Sequence, residues 1–335
     1  MIFYLVKAGR PKYFTIDVFL SKVAPEANSF IKPLTYDEIF RSKKLFPGTY
    51  IFSDLERLNC FELEAAADIW TTLKKYQPDI RLLNHPLKAM RRFQLLRRLY
   101  ISGLNDFNVY RLTELRKPRK FPVFIRGEND HYGSETELIF DQQQLDSEIE
   151  ALITAGKTIE SRIIVEVCAK HDSHGLYKKY SAFNISGTII PRHLIFNDNW
   201  HVKNPDIVDE HTIKQSREYM HENPHAEQIS RIFSIAKIDY GRIDYSIIDG
   251  KIQTYEINTN PRISGEITLE DIKIVAKLTF LPVFLSVMKS IDSEYKNKNI
   301  IKLSFGINPV EPFGGLNYRK SILERLALLC KYYRL

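Results

Sequence analysis

Cysteine is scarce in this sequence: Cys60, Cys168 and Cys330 are odd in number and far apart along 335 residues. That excludes a disulfide-stapled scaffold, and the spacing offers no zinc finger or ribbon, so reduced thiols in a cytosol are expected. Long apolar runs are also missing, and none approaches the ~20 residues that cross a bilayer. The start, Met1–Lys7, reads as a strand and lacks the basic opening and small-residue cleavage site of a secretory signal. There are no repeats, no low-complexity tract and no nucleic-acid-binding signature. A cytoplasmic protein without a membrane or nucleic-acid partner is expected. What the chain does carry is charge. Its Lys+Arg total of 48 against 41 Asp+Glu leaves +7, on a background 44% hydrophobic. Such a field suits anionic substrates such as nucleotides, and the length suits about two domains or one elaborate one.

In order, residues 1–110 read as an α/β unit. Ile2–Val6 is an apolar strand, Tyr36–Ser42 a polar helix, and Gly48–Asp54 a strand ending in Ser53-Asp54, at a place where ligands commonly bind. Glu62–Tyr76 has an apolar stripe at helical spacing (Leu63, Ala66, Ala67, Ile69, Trp70, Leu73), and Pro78 stops it. Arg81–Asn84 is a further strand, and Asn84-His85-Pro86 opens an arginine-rich helix running to about Ser102. Strand–helix alternation predicts a parallel sheet. Residues 111–170 follow as a smaller unit. Its strand Pro122–Arg126 leads into Gly127–Ser134, where glycines let backbone N–H groups approach phosphate oxygens. Helix Leu145–Ala155 and strand Arg162–Cys168 complete it. In the remainder, 171–335, a hairpin turns at Ser186-Gly187, Asp198–Lys203 continues as a strand, and helices span 212–222 and 225–235. A helix from Leu269 to Met288, a polar linker Lys289–Asn299 and a last helix Arg319–Tyr333 close the chain.

The stretch that organises the rest is Gly241–Pro261. Two strands flank Asp249-Gly250, a strong two-residue turn signal. Side chains alternate along a strand, so Glu256 and Asn258 share a face, and an antiparallel partner can bring Asp244 to it. Three oxygen-bearing side chains meeting there suit a hard cation such as Mg²⁺.

Asp244, then Glu256-x-Asn258, then Pro261, resembles the metal-binding end of the ATP-grasp ligases, the superfamily of D-alanine–D-alanine ligase and glutathione synthetase. The order of elements from Asn84 onward is similar too. The resemblance implies an α/β fold in three parts: an N-terminal Rossmann-like domain (1–110), a small ATP-binding lobe (111–170) and a large lobe with the metal site and C-terminal helices (171–335). It implies ATP and one or two Mg²⁺ ions as cofactors, with Asp244, Glu256 and Asn258 as metal ligands. Arg91 and Arg126 stand where the family usually places phosphate-binding lysines. Gly133 belongs to the phosphate loop, Glu166, Val167 and Cys168 to the adenine-binding hinge, and Lys179 to the triphosphate. Arg192, like Lys179, is implied at the triphosphate or the acyl phosphate and its developing charge, and Arg242 beside the metal or the carboxylate. Ser181 occupies a place that many relatives give to arginine, which leaves that role to Arg192; Lys203 is a lesser candidate. The loop Arg262–Glu266 lies near the site.

The implied activity joins a carboxylate to an amine through an acyl phosphate, with ADP and phosphate released. The substrates are small molecules or peptides, and the assembly is open between monomer and homodimer. A phosphotransferase or a catalytically silent nucleotide-binding protein on the same fold are the competing readings. The two lysine-to-arginine departures motivate the silent protein, and the convergence of carboxylates, costly without a metal, argues against it.

Overall fold

Near-continuous apolar residues form the first strand, β1 (Ile2–Val6), buried along its whole length. The computed structural model describes residues 1–9, 16–114, 117–130, 132–200, 202, 207–263, 279–292 and 299–303. β1 is flanked by β2 (Ile31–Thr35) and β4 (Thr49–Phe52), and β5 (Leu82–Leu83) extends the sheet beyond β4. All three pairings are parallel, as strand–helix alternation predicts. Helices α1 (Tyr36–Arg41) and α2 (Cys60–Tyr76) each begin with a capping box, Thr35 with Glu38 and Asn59 with Glu62, which satisfies backbone N–H groups that have no helical partner.

The arginine-rich helix α3 (Arg92–Ile101) starts later than Pro86, and its first turn is fastened by the Arg91 amide donating to Gln94 Oε1 at 3.3 Å. Residues 86–89 form turns and a bend instead. α3 is buried on two sides. Leu95 and Leu99 join one core, Phe93 and Leu96 another. It therefore wedges between two sheets. The smaller is antiparallel, with β6 (Val109–Arg111), β7 (Val123–Gly127) and β8 (Arg162–Glu166) in the order β6-β8-β7, backed by α4 (Gln142–Thr154). β6 straddles the expected division at 110/111.

The larger sheet holds β9 (Tyr177–Ile185), β10 (Thr188–Asn197), β11 (Tyr240–Ile248) and β12 (Lys251–Asn258), ordered β10-β9-β11-β12 and antiparallel throughout. Both hairpins turn on residue pairs with positive φ, Ser186 and Gly187 at 51° and 96°, Asp249 and Gly250 at 50° and 77°. That pairing matches the right-handed strand twist. Helices α5 (Glu210–Glu222), α6 (Ala226–Ala236) and α7 (Leu281–Ser290) pack on it, and a short strand β13 (Ile301–Lys302) returns to pair with β3 (Lys44–Leu45). Asp198–Trp200 is a bend, not the expected strand, and α7 runs through the expected start of the linker at Lys289. Lys203, the loop beyond Ile263, the expected helix start at Leu269 and the helix Arg319–Tyr333 lie outside the described residues. No described helix is long and apolar enough to cross a membrane.

Asn84 ties the first sheet to the third. Held at φ 64°, it donates from Nδ2 to the Tyr240 carbonyl at 2.7 Å, and its Oδ1 accepts the amides of Asp239 and Tyr240 at 2.8 and 2.9 Å. The chain end of β5 is thereby pinned to the start of β11, the strand that carries Asp244.

Candidate active site

A regular hairpin around Asp249-Gly250 pairs Ile248 with Lys251 and continues to Tyr245 with Thr254. Continued one step further it would set Asp244 against Tyr255, with Glu256 on the other face. A bulge prevents this. Tyr255 is the extra residue, and Asp244 lies opposite Glu256, Arg242 opposite Asn258. The four polar residues therefore share one face of β11 and β12. The expected convergence of Asp244, Glu256 and Asn258 is present, yet even numbering alone does not produce it. The row continues across the sheet, with Ser181 opposite Asp244 and His193 opposite Ser181.

Guanidinium groups answer both carboxylates. Arg242 forks onto Asp244 at 2.9 and 3.3 Å. Glu256 forms an ion pair with Arg92 and stands 3.9 Å from Arg126 Nη2, while Asn258 Nδ2 donates to Glu256 Oε1 at 2.9 Å. Arg92 also gathers the carbonyls of Gly127, Glu128 and Asp130 at 2.8 to 3.2 Å. Burial lowers the Arg126 guanidinium to about 10, and neighbouring Arg92 adds to that, against the pull of Glu256 and Asp130. Lys179 is likewise pushed down by burial; its ammonium donates to the Val202 carbonyl.

These side chains stand in the wall of a cavity between the second and third sheets. Arg92, Arg126, Gly133, Lys179, Asp244 and Glu256 line it. Leu96, Phe107, Phe124, Val165, Trp200 and Tyr255 supply apolar and aromatic walls. Glu166, Val167 and Cys168, at the end of β8, border the cavity as well. The Glu166 carboxylate itself is structural. It accepts from Tyr110 Oη at 2.8 Å and from the amides of Asn108, Arg119 and Lys120 at 2.9, 3.0 and 3.2 Å. Burial raises the Cys168 thiol to about 11, so it is not a nucleophile at neutral pH. A Cβ at Gly127 would meet the Asp130 carboxylate at 1.6 Å, so that side chain would have to move aside.

Other expected residues stand apart. Arg91 turns away from this cavity and donates to the Leu58 carbonyl at 2.7 Å, in a smaller recess with Leu55, Glu56, Glu128 and Asn129 that also touches Asn258. Its neighbour Arg92 holds the cavity wall. No residue of the usual capping type precedes Arg92, so the sequence does not mark where this helix starts. Arg192 lies at a bulge on β10, buried. Its Nε donates to the Ile263 carbonyl at 3.1 Å, its guanidinium stacks 4.7 Å from the Phe280 ring, and Nη1 has no described partner. Burial and the neighbouring Arg242 and Arg262 lower it to about 9. Ser53 and Asp54 are fully buried, and Asp54 Oδ2 is taken by the Lys7 amide at 2.9 Å and Arg57 at 2.8 Å. Phe124, Trp200 and Tyr255, which close the cavity, carry no motif that marks them in advance.

The donor set fits a hard divalent cation in kind, with two carboxylates in register and an amide oxygen beside them. Among the described residues no cluster of three His, Cys, Asp or Glu side chains is found, so any cation there would keep water or substrate oxygens as well.

No family model matches the sequence, and no curated protein matches it. In structure the chain is similar to D-alanine–D-alanine ligase from Bacillus anthracis, at 14% identity and TM-score 0.48 over 87% of this chain and 98% of that one. It is similar to the VanG D-Ala:D-Ser ligase from Enterococcus faecalis, at 13% and 0.47 over 87% and 98%. It is also similar to an L-amino acid ligase from Bacillus licheniformis, at 12% and 0.40 over 83% and 73%. All three of those proteins are ligases.

Proposed function

We propose that the chain is an ATP- and Mg²⁺-dependent ligase of the ATP-grasp type, joining a carboxylate to an amine or other nucleophile through an acyl phosphate and releasing ADP and phosphate. One observation carries the reading. Asp244 and Glu256 lie in register beside Arg92, Arg126 and Lys179 in the wall of a cavity that Leu96, Phe107, Phe124, Val165 and Trp200 also line. A nucleotide asks for both kinds of surface, an apolar one for its base and a cationic one for its phosphates.

On this reading residues 1–110, 111–170 and 171–335 are the Rossmann-like domain, the small lobe and the large lobe. The base lies among Phe107, Phe124, Val165 and Trp200, beside Glu166–Cys168. Arg126, Arg92, Lys179 and the loop bearing Gly133 hold phosphates. Asp244, Glu256 and Asn258 would hold Mg²⁺, which when bound neutralises phosphate charge. The arginines that hold Glu256 then exchange a carboxylate for phosphate oxygens, so each guanidinium keeps a charge-assisted partner. Arg242 and Arg192, whose Nη1 has no described partner, stabilise charge that develops at the reacting carboxylate. The protein's share is positioning and electrostatics.

The test is ADP and phosphate release from Mg-ATP against a panel of amino acids and short peptides. Release that depends on both a carboxylate and an amine supports the ligase. A phosphorylated product that survives instead identifies a phosphotransferase. Nucleotide binding without turnover on any substrate identifies a silent binder, the reading favoured by arginine at 126 and by the arginine hold on Glu256.

A further inference from the structure

Behind the hinge, on the far side of Glu166 from the cavity, runs a second groove. It lies between the outer face of α3 and the connector that precedes β7, and it is lined by Arg97, Tyr100, Ile101, Tyr110, Lys117 and Arg119, with Asn108 at its floor. No carboxylate lines it, and no described acid pairs with Arg97, Lys117 or Arg119. The cations are nonetheless held in place. Arg97 donates to Asn108 Oδ1 at 2.9 Å and the Val109 carbonyl at 3.2 Å, with its guanidinium 5.7 Å from the Tyr110 ring. Arg119 reaches the Tyr100 hydroxyl at 3.3 Å, and its amide is fixed by Glu166 at 3.0 Å. Positioned arginines without acids are a recognition surface for oxyanions, since the entropy of ordering the fork is already spent.

We infer that this groove binds an acidic peptide segment, with carboxylates on Arg97 and Arg119 and an apolar side chain against Ile101. Three observations choose this occupant. The amides of Arg119 and Lys120, which could cradle a phosphate, are already given to the Glu166 carboxylate. The Tyr110 ring, which could stack a base, is buried under Arg97. Ile101 is 67% exposed at the rim, an apolar contact that a peptide side chain uses and a polyphosphate does not. Glu166 borders the cavity and bonds Tyr110 Oη and the amides of Asn108 and Arg119 in the groove wall, so a peptide docked here lies behind the hinge without entering the nucleotide site. This inference does not depend on the ligase reading.

The experiment uses the full chain and two fluorescently labelled probes of equal length, a Glu-rich peptide containing a central Leu and its Gln counterpart, read by anisotropy at several salt concentrations. The acidic peptide binds, the Gln peptide does not, and affinity falls with salt. R97Q and R119Q each weaken binding by about tenfold, the loss of one charge-assisted contact. K74Q/K75Q, which removes two exposed charges on α2, leaves binding unchanged. Thermal melts confirm that each variant is folded, and I101S provides a second line should either arginine variant fail to fold, weakening the Leu-containing probe selectively. Equal weakening by K74Q/K75Q and the groove variants overturns the inference, since it reports the net charge alone. So does tighter binding of a single-stranded RNA or of polyphosphate than of the peptide, and so does an acidic peptide that fails to bind.

Discussion

The two charged walls that meet in the cavity are built differently. The carboxylate wall comes from one hairpin, and its geometry is set by backbone: a positive-φ turn, a single bulge at Tyr255 and the resulting pairing of Asp244 with Glu256. The cation wall comes from two elements, the first turn of α3 and the end of β7, and its contact with the hairpin is made by long side chains. A register shifts only by whole residues, and one step flips every side chain to the other face, whereas arginines swing through several rotatable bonds. The carboxylates are thus the fixed reference, and Arg92 and Arg126 are the parts able to change partners.

The largest effect expected from breaking this arrangement is at Arg92. Its guanidinium is buried, and it serves Glu256 and three loop carbonyls at once. R92A removes the closest cation from Glu256 and leaves three carbonyls without this donor, a loss of about 3–5 kcal/mol for a broken buried pair. R91A removes one bond to Leu58 on a half-buried side chain, about 1 kcal/mol. Chemical denaturation of both variants measures the contrast; equal losses would show that the two neighbours are not divided between cavity and recess.

Next in size is the carboxylate wall. D244N and E256Q keep shape and remove charge, so the fold is retained while Mg²⁺-dependent nucleotide binding and turnover fall by about 100-fold or more, since even outer-shell partners of a metal cost 10- to 100-fold. Calorimetry with Mg-ATP is the measurement, and unchanged affinity in both variants rules out the metal assignment.

Arg126 comes third, and it sharpens the idea that the cation wall trades partners. If its guanidinium leaves Glu256 for phosphate, R126A weakens ATP by about tenfold or more, the value of charge-assisted bonds at ~1.5–3 kcal/mol. R126K recovers only part, because one ammonium cannot reproduce a fork. Titration of the three proteins with Mg-ATP decides it. Parent-like affinity in R126A makes Arg126 a structural neighbour of Glu256 and nothing more.

How much of this was legible in the sequence follows the same division. Elements set by local rules were readable: both turns with positive φ, the apolar stripe of α2, and the parallel sheet from strand–helix alternation. The carboxylates were readable as residues, because few patterns place Asp and Glu-x-Asn on adjoining strands. Their register was not, since a bulge at Tyr255 is a tertiary choice with no local marker. On the cation wall the sequence points to Arg91, whereas Arg92 is the one that lines the cavity. Basic side chains crowd α3, and only the exact start of the helix tells Arg91 from Arg92. The aromatic walls were not legible, because Phe124 and Trp200 become neighbours only when two sheets meet, with ring centroids 5.2 Å apart.

The smallest expected effect lies behind the carboxylate wall and tests whether that wall is rigid for the reason given. Tyr245 follows Asp244 and points to the opposite face, where its hydroxyl meets Tyr219 at 3.0 Å and His225 Nδ1 at 2.8 Å. Tyr219 in turn donates to the Ser181 carbonyl at 3.0 Å, in the strand next to Asp244. Burial lowers the His225 imidazole below its ordinary value of 6.5. Between the lowered folded value and 6.5, the unfolded chain therefore binds more protons than the folded one, and stability falls as the pH drops through that window. His193, on the front face, is lowered too, by burial and by Arg192, Arg242 and Lys179, and acts in the same direction. Carboxylates held low, such as Asp172 and Asp209, lose their stabilising charge only on further acidification, from about their ordinary 3.8 downward. A decline in melting temperature between pH 7.5 and 5.5 is thus assigned to histidine. H225N keeps a hydrogen-bonding group for Tyr245 and cannot titrate, so its melting temperature should fall less over that interval, with His193 and His85, which burial also lowers, accounting for what remains. Parallel curves for parent and variant would free His225 from the effect and leave those two as its source, and a melting temperature that rises on acidification would contradict the sign for all three.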